Sequence, residues 1–164
     1  MKGLAVLRVL ILFVGLASAA LAQGTGISIS PTSVDRSQPV EVTADSLTVE
    51  QNTNSAVFTG NAKVVQGDLV LSASSIMVRY NQEQSAIDLV EASDNVVFTN
   101  GAEVAEAQRG IYRVASGRID LAGNVVLVQG PNAISGDALT LDLTTSKGTM
   151  TGNVKTVFIP QNDQ

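Results

Sequence analysis

The chain has no cysteine, no histidine and no tryptophan among its 164 residues. Without cysteine there is neither a disulfide scaffold nor a thiol nucleophile, and no thiol to carry a lipid anchor at the start of an exported chain. Without histidine the usual general base and the commonest metal ligand are both missing, which removes most enzyme classes. Aromatic residues are scarce, with four Phe and two Tyr. No glycine-rich phosphate loop, nucleophile elbow or calcium-binding nonapeptide is present. Asp45, Asp137 and Asp142 are the carboxylates nearest the bends described below, and a carboxylate at a kink ordinarily accepts hydrogen bonds from local amides rather than working as half of a hydrolytic pair. Asp94, Asn95 and Asp120 lie beside turns, where isolated polar groups are normally solvated, so neither a metal nor a cofactor is expected.

Lys2 and Arg8 precede the apolar run from Val9 to Leu16, and small residues follow to Ala20-Leu21-Ala22. This order of charge, apolar stretch and small residues is that of a secretory signal, with cleavage expected near Ala22 and an exported mature chain of about 142 residues. The apolar run is too short for the roughly 20 residues of a membrane span. The mature chain carries 8 basic against 15 acidic residues, a net charge of −7, so its long-range field repels nucleic acid and anionic membranes. Residues 23–38 are polar and read as a flexible leader, in which only Ile27 and Ile29 hint at a docked strand. A short tail, 160–164, closes the chain.

What fills the space between is one phrase written four times. Its first half is Val42-Thr43-Ala44-Asp45-Ser46-Leu47-Thr48-Val49, echoed from Leu71 to Val78 and from Ile134 to Leu141, with a degraded copy from Ala105 to Arg113. Its second half is Thr59-Gly60-Asn61-Ala62-Lys63-Val64, echoed from Ser93 to Phe98, from Ala122 to Leu127 and from Thr151 to Thr156. Repetition at about 30 residues signals stacked units that share one core, because no unit buries its apolar face alone. Turn signals at Glu50–Ser55, Gln66–Asp68, Asn81–Ser85, Thr99–Glu103, Ala115–Gly117, Gln129–Asn132 and Thr144–Gly148 separate eight extended runs of about ten residues. Asn100-Gly101 is the sharpest, since both residues accept positive φ.

Runs of that length need a bend. In the first half-phrase the apolar parity switches, from Val42 and Ala44 to Leu47 and Val49, as a bulge or corner at Asp45-Ser46 would require. In the second half-phrase parity persists through Phe58, Gly60, Ala62 and Val64, and the glycine allows the sharp turn. Kinked runs imply two facing β walls meeting along a fold line. The inward set then includes Ala44, Leu47, Val49, Leu71, Ala73, Val90, Ala92, Ile111, Ile119, Leu121, Ile134, Met150, Val154 and Phe158, and the degraded copy puts Arg113 inward. Because so much of this lining is Ala, Val and Gly, room is expected between the walls.

The half-phrases from Val42 to Val49 and from Ala56 to Asp68 resemble those of the LptA/OstA-like family of periplasmic lipopolysaccharide-transport proteins, and the likeness runs from about residue 38 to 159. It implies an all-β fold over 39–159: an open, twisted, V-shaped antiparallel jelly roll. It further implies that acyl chains of lipopolysaccharide lie between the walls against Phe58, Ala62, Val64, Ile76, Val78, Val96, Phe98, Val125, Leu127, Leu139, Leu141 and Val154. The strands around Val40 and Val42 and around Val154 and Phe158 would be docking edges. The partners implied are inner-membrane LptC-like and outer-membrane LptD-like proteins of similar fold, together with head-to-tail copies of the chain itself. From the residues alone two other readings stay open: a secreted β-solenoid with no lipid ligand, and an enzyme acting on envelope lipid through Asp45 or Asp137. An outer-membrane barrel is disfavoured by the lack of aromatic girdles.

Overall fold

A computed structural model of the protein describes residues 25–28, 38–83 and 85–159. The expected signal segment, Ile29 and the tail lie outside the described residues. The described chain is antiparallel sheet throughout, apart from one 3-10 turn at Gln51–Thr53. Its strands are β1 (Thr25–Ser28), β2 (Glu41–Thr43), β3 (Ser46–Glu50), β4 (Ser55–Gln66), β5 (Leu69–Tyr80), β6 (Ile87–Thr99), β7 (Glu103–Arg113), β8 (Arg118–Gln129), β9 (Asn132–Asp142), β10 (Lys147–Thr151) and β11 (Lys155–Val157). The sheet order is β1-β10-β9-β8-β7-β6-β5-β4-β2, with β3 also on β4 and β11 also on β9. From β4 to β10 this is a plain meander, each run hydrogen-bonded to the next through a short turn. The turns fall where the Gly, Asn and Ser clusters put them. Within the stretch expected to be a leader, β1 docks on β10, as Ile27 hinted.

The bend is one repeated device. On β4, β6, β8 and the β10–β11 run, the pairs Gly60-Asn61, Asp94-Asn95, Gly123-Asn124 and Gly152-Asn153 all have positive φ, from 47° to 88°. The register shifts at each level: Gly60 and Asn61 stand opposite Ser74 alone, and Gly123 and Asn124 opposite Asp137 alone. Two residues facing one is a β-bulge, which bends the strand and increases its twist. Inward residues are therefore four apart across the bulge on these runs, as in Phe58 and Ala62. On the partners β2–β3, β5, β7 and β9 they are three apart, as in Ala73 and Ile76 or Gly136 and Leu139. The parity switch in one half-phrase and its persistence in the other are two sides of the same extra residue.

Aligned across the sheet, the bulges form a seam that folds it into two walls. One wall comprises 41–43, 62–66, 69–73, 96–99, 103–107, 125–129, 132–136 and 155–157. The other comprises 46–50, 55–59, 75–80, 87–93, 109–113, 118–122, 138–142, 147–151 and β1. The result is an open antiparallel jelly roll with a single apolar cluster drawn from both walls. Side chains staple the seam: Asn61 Nδ2 donates to Asp45 Oδ2 at 3.0 Å, Asn95 Nδ2 to Ser74 Oγ at 3.1 Å and Asn153 Nδ2 to Asp137 Oδ2 at 2.9 Å. The backbone N–H groups of Asp45 and Asp137 donate to the carbonyls of Gly60 and Gly152, each at 2.9 Å. These two carboxylates thus sit in structural turns, and Asp142 accepts from the amides of Thr144 and Thr145 at 2.9 and 3.0 Å.

Glycine at the seam is required twice over. A Cβ on Gly123, whose φ is +88°, would stand 2.7 Å from the Gln108 side chain, whereas one on Gly130, in a turn with φ +53°, would meet open space. Gly123→Ala is expected to lower stability by about 2 kcal/mol and Gly130→Ala by about 1 kcal/mol or less, because only the first adds a clash to the left-handed strain. Urea denaturation midpoints of the two variants check the order.

Candidate functional site

Among the described residues, the apolar half of every phrase converges in the interior, so the site is built from its lining. Val64, Leu71, Val96, Phe98, Ala105, Val125 and Leu127 come from one wall. Ile76, Val78, Val90, Tyr112, Ile119, Leu121, Leu139, Leu141 and Met150 come from the other, and all are at most 1 % exposed. Of the residues expected to face lipid, Ala62, Val64, Ile76, Val78, Val96, Phe98, Val125, Leu127, Leu139 and Leu141 are gathered in this cluster and Phe58 is packed against it. Val154 is not: it lies between β10 and β11 and is 36 % exposed.

The ends of the expected inward set depart from expectation for the same reason as Val154. Leu47 and Val49 on β3 and Phe158 after β11 are 55 %, 64 % and 72 % exposed. Their parity is inward, but among the described residues β3 pairs only with β4 and β11 only with β9, and no further strand covers them. In the degraded copy the inward residue is Tyr112, not Arg113 or Ile111. Tyr112 stands opposite Val90 on one side and Ile119 on the other, in the row that also holds Val78 and Leu141. Once Gly110 and Tyr112 are taken as the inward pair, the parity switch from Ala105 and Ala107 matches the other three copies. Arg113 points outward and forms an ion pair with Asp120, which also binds Arg118 at 3.1 Å and Thr140 at 2.8 Å.

The room expected between the walls is taken up by the walls themselves. A Cβ on Gly136 would lie 2.6 Å from Met150, and one on Gly110 would lie 3.0 Å from Leu121 and 3.2 Å from Val96 on the other wall. Each small residue faces a large one, so glycine and alanine let the walls approach instead of holding them apart. One surface hollow lies at the seam, lined by Gly60, Asn61, Lys63, Ser72, Ser74 and Asn95, and another lies against the outer face of the second wall, lined by Glu91, Ser93, Arg109, Ile111 and Asp120.

One polar clasp joins the walls across the interior. Tyr112 Oη donates to Gln66 Oε1 at 2.8 Å, and Gln66 Nε2 donates to the Gln38 carbonyl at 3.1 Å, with both side chains buried. Along the same rim Glu103, 2 % exposed, accepts from Asn100 Nδ2 at 3.1 Å and Gln129 Nε2 at 2.6 Å. Sequence reasoning missed this row, although Gln66, Glu103 and Gln129 each continue an inward parity to its last residue. Among the described residues, no group of three or more carboxylates is placed to hold a metal ion.

The clustered apolar lining, the seam and the open edges can now be set beside known proteins. Residues 41–147 match the family described as LptA/(LptD N-terminal domain) LPS transport protein. The chain belongs to this family. It is 32 % identical over 90 % of its length to an uncharacterized protein of Rhizobium meliloti strain 1021, covering 85 % of that protein. It is 27 % identical over 79 % of its length to the lipopolysaccharide export system protein LptA of Haemophilus influenzae, covering 82 % of it. With the LptA of Escherichia coli K12 the identity is 27 % over 65 % of this chain and 60 % of that protein. In fold it is similar to the crystal structure of LptH of Pseudomonas aeruginosa, with a TM-score of 0.71 over 77 % of this chain and 99 % of that one, at 19 % identity.

Two outcomes test the geometry. Tyr112→Phe removes the clasp between walls and is expected to lower stability by about 0.5–1.5 kcal/mol, measured by urea unfolding, with the fold retained. On the outer face, partial burial raises the Asp120 pKa, but hydrogen bonds from Arg118, Thr140 and Arg113 outweigh it and hold the carboxyl below its ordinary range. A depressed folded pKa contributes stability that is complete above the unfolded carboxylate value and is lost as pH falls through the folded one. Stability should therefore drop below about pH 4, and Asp120→Asn should make that drop shallower in denaturation curves recorded at successive acidic pH values.

Proposed function

We propose that this protein is a periplasmic carrier that holds the acyl chains of lipopolysaccharide between its two walls and passes them along its length towards the outer membrane. The observation that carries the reading is the unbroken apolar interior, which runs from Val64 at one end of the sheet to Met150 at the other with its rows repeated from strand to strand. Burying a methylene contributes roughly 0.8 kcal/mol, so an acyl chain gains several kcal/mol in such a lining. Repeated rows offer near-equal sites, and near-equal sites allow sliding where one deep pocket would trap the cargo. With the walls in mutual contact, the cargo is admitted only as they part, and the Tyr112–Gln66 clasp at the rim is a polar contact that parting must break. Energy for directed movement enters elsewhere. The acidic net charge favours a phosphorylated head group that projects from between the walls over one gripped by them.

The same reading makes the two ends of the sheet its docking surfaces. Large exposed apolar side chains stand at both ends, Leu47 and Val49 at one and Val154, Val157, Phe158 and Ile159 at the other. Among the described residues, β2 and β11 each have one unpaired edge, and on their shared wall β11 runs away from the seam while β2 runs towards it. A β2 laid on a neighbour's β11 is thus antiparallel, as β-augmentation of this sheet requires. Such a contact is heterologous and does not close on itself, so it joins copies in a row or ends on LptC-like and LptD-like partners of similar fold.

A photoactivatable acyl probe tests the interior. Phe58→Glu, at the half-buried inward position, is expected to cut crosslinking about tenfold, while Thr59→Glu on the outer side changes it less than about twofold. Equal effects, with both variants folded by circular dichroism, overturn the reading.

A further inference from the structure

On the second wall the end of the sheet is already occupied. β1 lies antiparallel on β10, with Thr25 opposite Met150 and Ile27 opposite Gly148. On the other side of β10, the matching half-phrase in β9 sets Leu139 opposite Met150 and Leu141 opposite Gly148. The strand that carries this half-phrase at the far end of the sheet is β3, where Leu47 and Val49 correspond to Leu139 and Leu141. Ile27, 8 % exposed, is therefore seated where Val49 of a following copy would sit, above the space that Gly148 leaves by having no side chain; the Ile27 Cβ is 3.5 Å from the position a Cβ there would take. β1 and β3 also share a direction, both running from the seam towards the outer turns, so each is antiparallel to β10.

We infer that the β10 edge is the receptor for β3 of a second copy of this chain, and that β1 is a displaceable mimic of that strand which holds the edge in the monomer. The inference rests on the end-to-end reading above and adds to it the strand pair, its register and a competitor. β1 is the less apolar of the two sequences: it contains Gly26, and its residues opposite Met150 and Gly148 are Thr25 and Ile27, where β3 has Leu47 and Val49. β3 is already ordered on β4, so docking it costs little further chain entropy, whereas β1 must be fixed each time it binds. Against this, β1 is tethered and acts at a high effective concentration. The balance keeps the chain monomeric when dilute and lets copies, whose Leu47 and Val49 are otherwise exposed, replace β1 when concentrated.

Sedimentation velocity over a concentration series tests the exchange. Removing residues 23–28 from the mature chain is expected to tighten self-association about tenfold, and Ile27→Asp in the full mature chain should do the same. Locking β1 in place with Ser28→Cys and Lys147→Cys, which face each other in the register, should suppress association until the disulfide is reduced. Leu47→Asp should abolish association in every background. If removal of β1 leaves association unchanged or weaker while Leu47→Asp still abolishes it, the mimic is wrong and end-to-end docking stands. If neither change alters association, docking through these edges fails as well.

Discussion

Everything in this molecule depends on one backbone event, the insertion of a single extra residue into every second run at the same height in the sheet. The left-handed pairs at Gly60-Asn61, Asp94-Asn95, Gly123-Asn124 and Gly152-Asn153 do this with little side-chain cost, since glycine, asparagine and aspartate tolerate positive φ better than other residues. A lone bulge would only kink one strand. Four in register make a hinge line, and the asparagine and aspartate side chains on either side tie it off. Folding a single sheet onto itself this way yields two walls from one meander, whose pairings from β4 to β10 are sequence-local.

The interior follows from that fold line. Because each wall presents the same rows, the cluster extends along the sheet without a natural end, and its energetics are those of repeats that support their neighbours. The match of small against large residues closes the interior: Gly136 beneath Met150 and Gly110 beneath Leu121 and Val96 allow contact across the gap. The buried Gln66, Asn100 and Glu103 at the rim, with the half-buried Gln129 bonded to Glu103, mark where this apolar interior meets a polar margin.

Repetition also creates the problem of ends. A stacked sheet shows its apolar face wherever the stack stops, and natural sheets cover such edges with charges, short strands or loops. Here Leu47, Val49 and Phe158 are exposed, while β1 covers β10 with a strand whose described residues include a single large apolar one, Ile27. Under the docking proposed above, a copy or a partner would cover these exposed side chains.

The eight runs, their seven turns, the bend within each run and the inward rows were legible in the sequence, because alternation with period two and paired Gly, Asn and Asp signals are local and survive without knowledge of the partner strand. The degraded copy was misread by one residue, since Gly110 supplies no side chain to mark the row and Ile111 offers a decoy. It took the opposing strands, with Val90 and Ile119 flanking Tyr112, to set that register. Three things belonged to the tertiary structure alone: that the walls touch, that Tyr112 reaches Gln66 across them, and that Leu47 and Phe158 are bare. Each depends on what lies on the far side of a side chain. A residue's neighbours along the chain determine which way it points, but only the folded sheet decides whether anything is there to meet it.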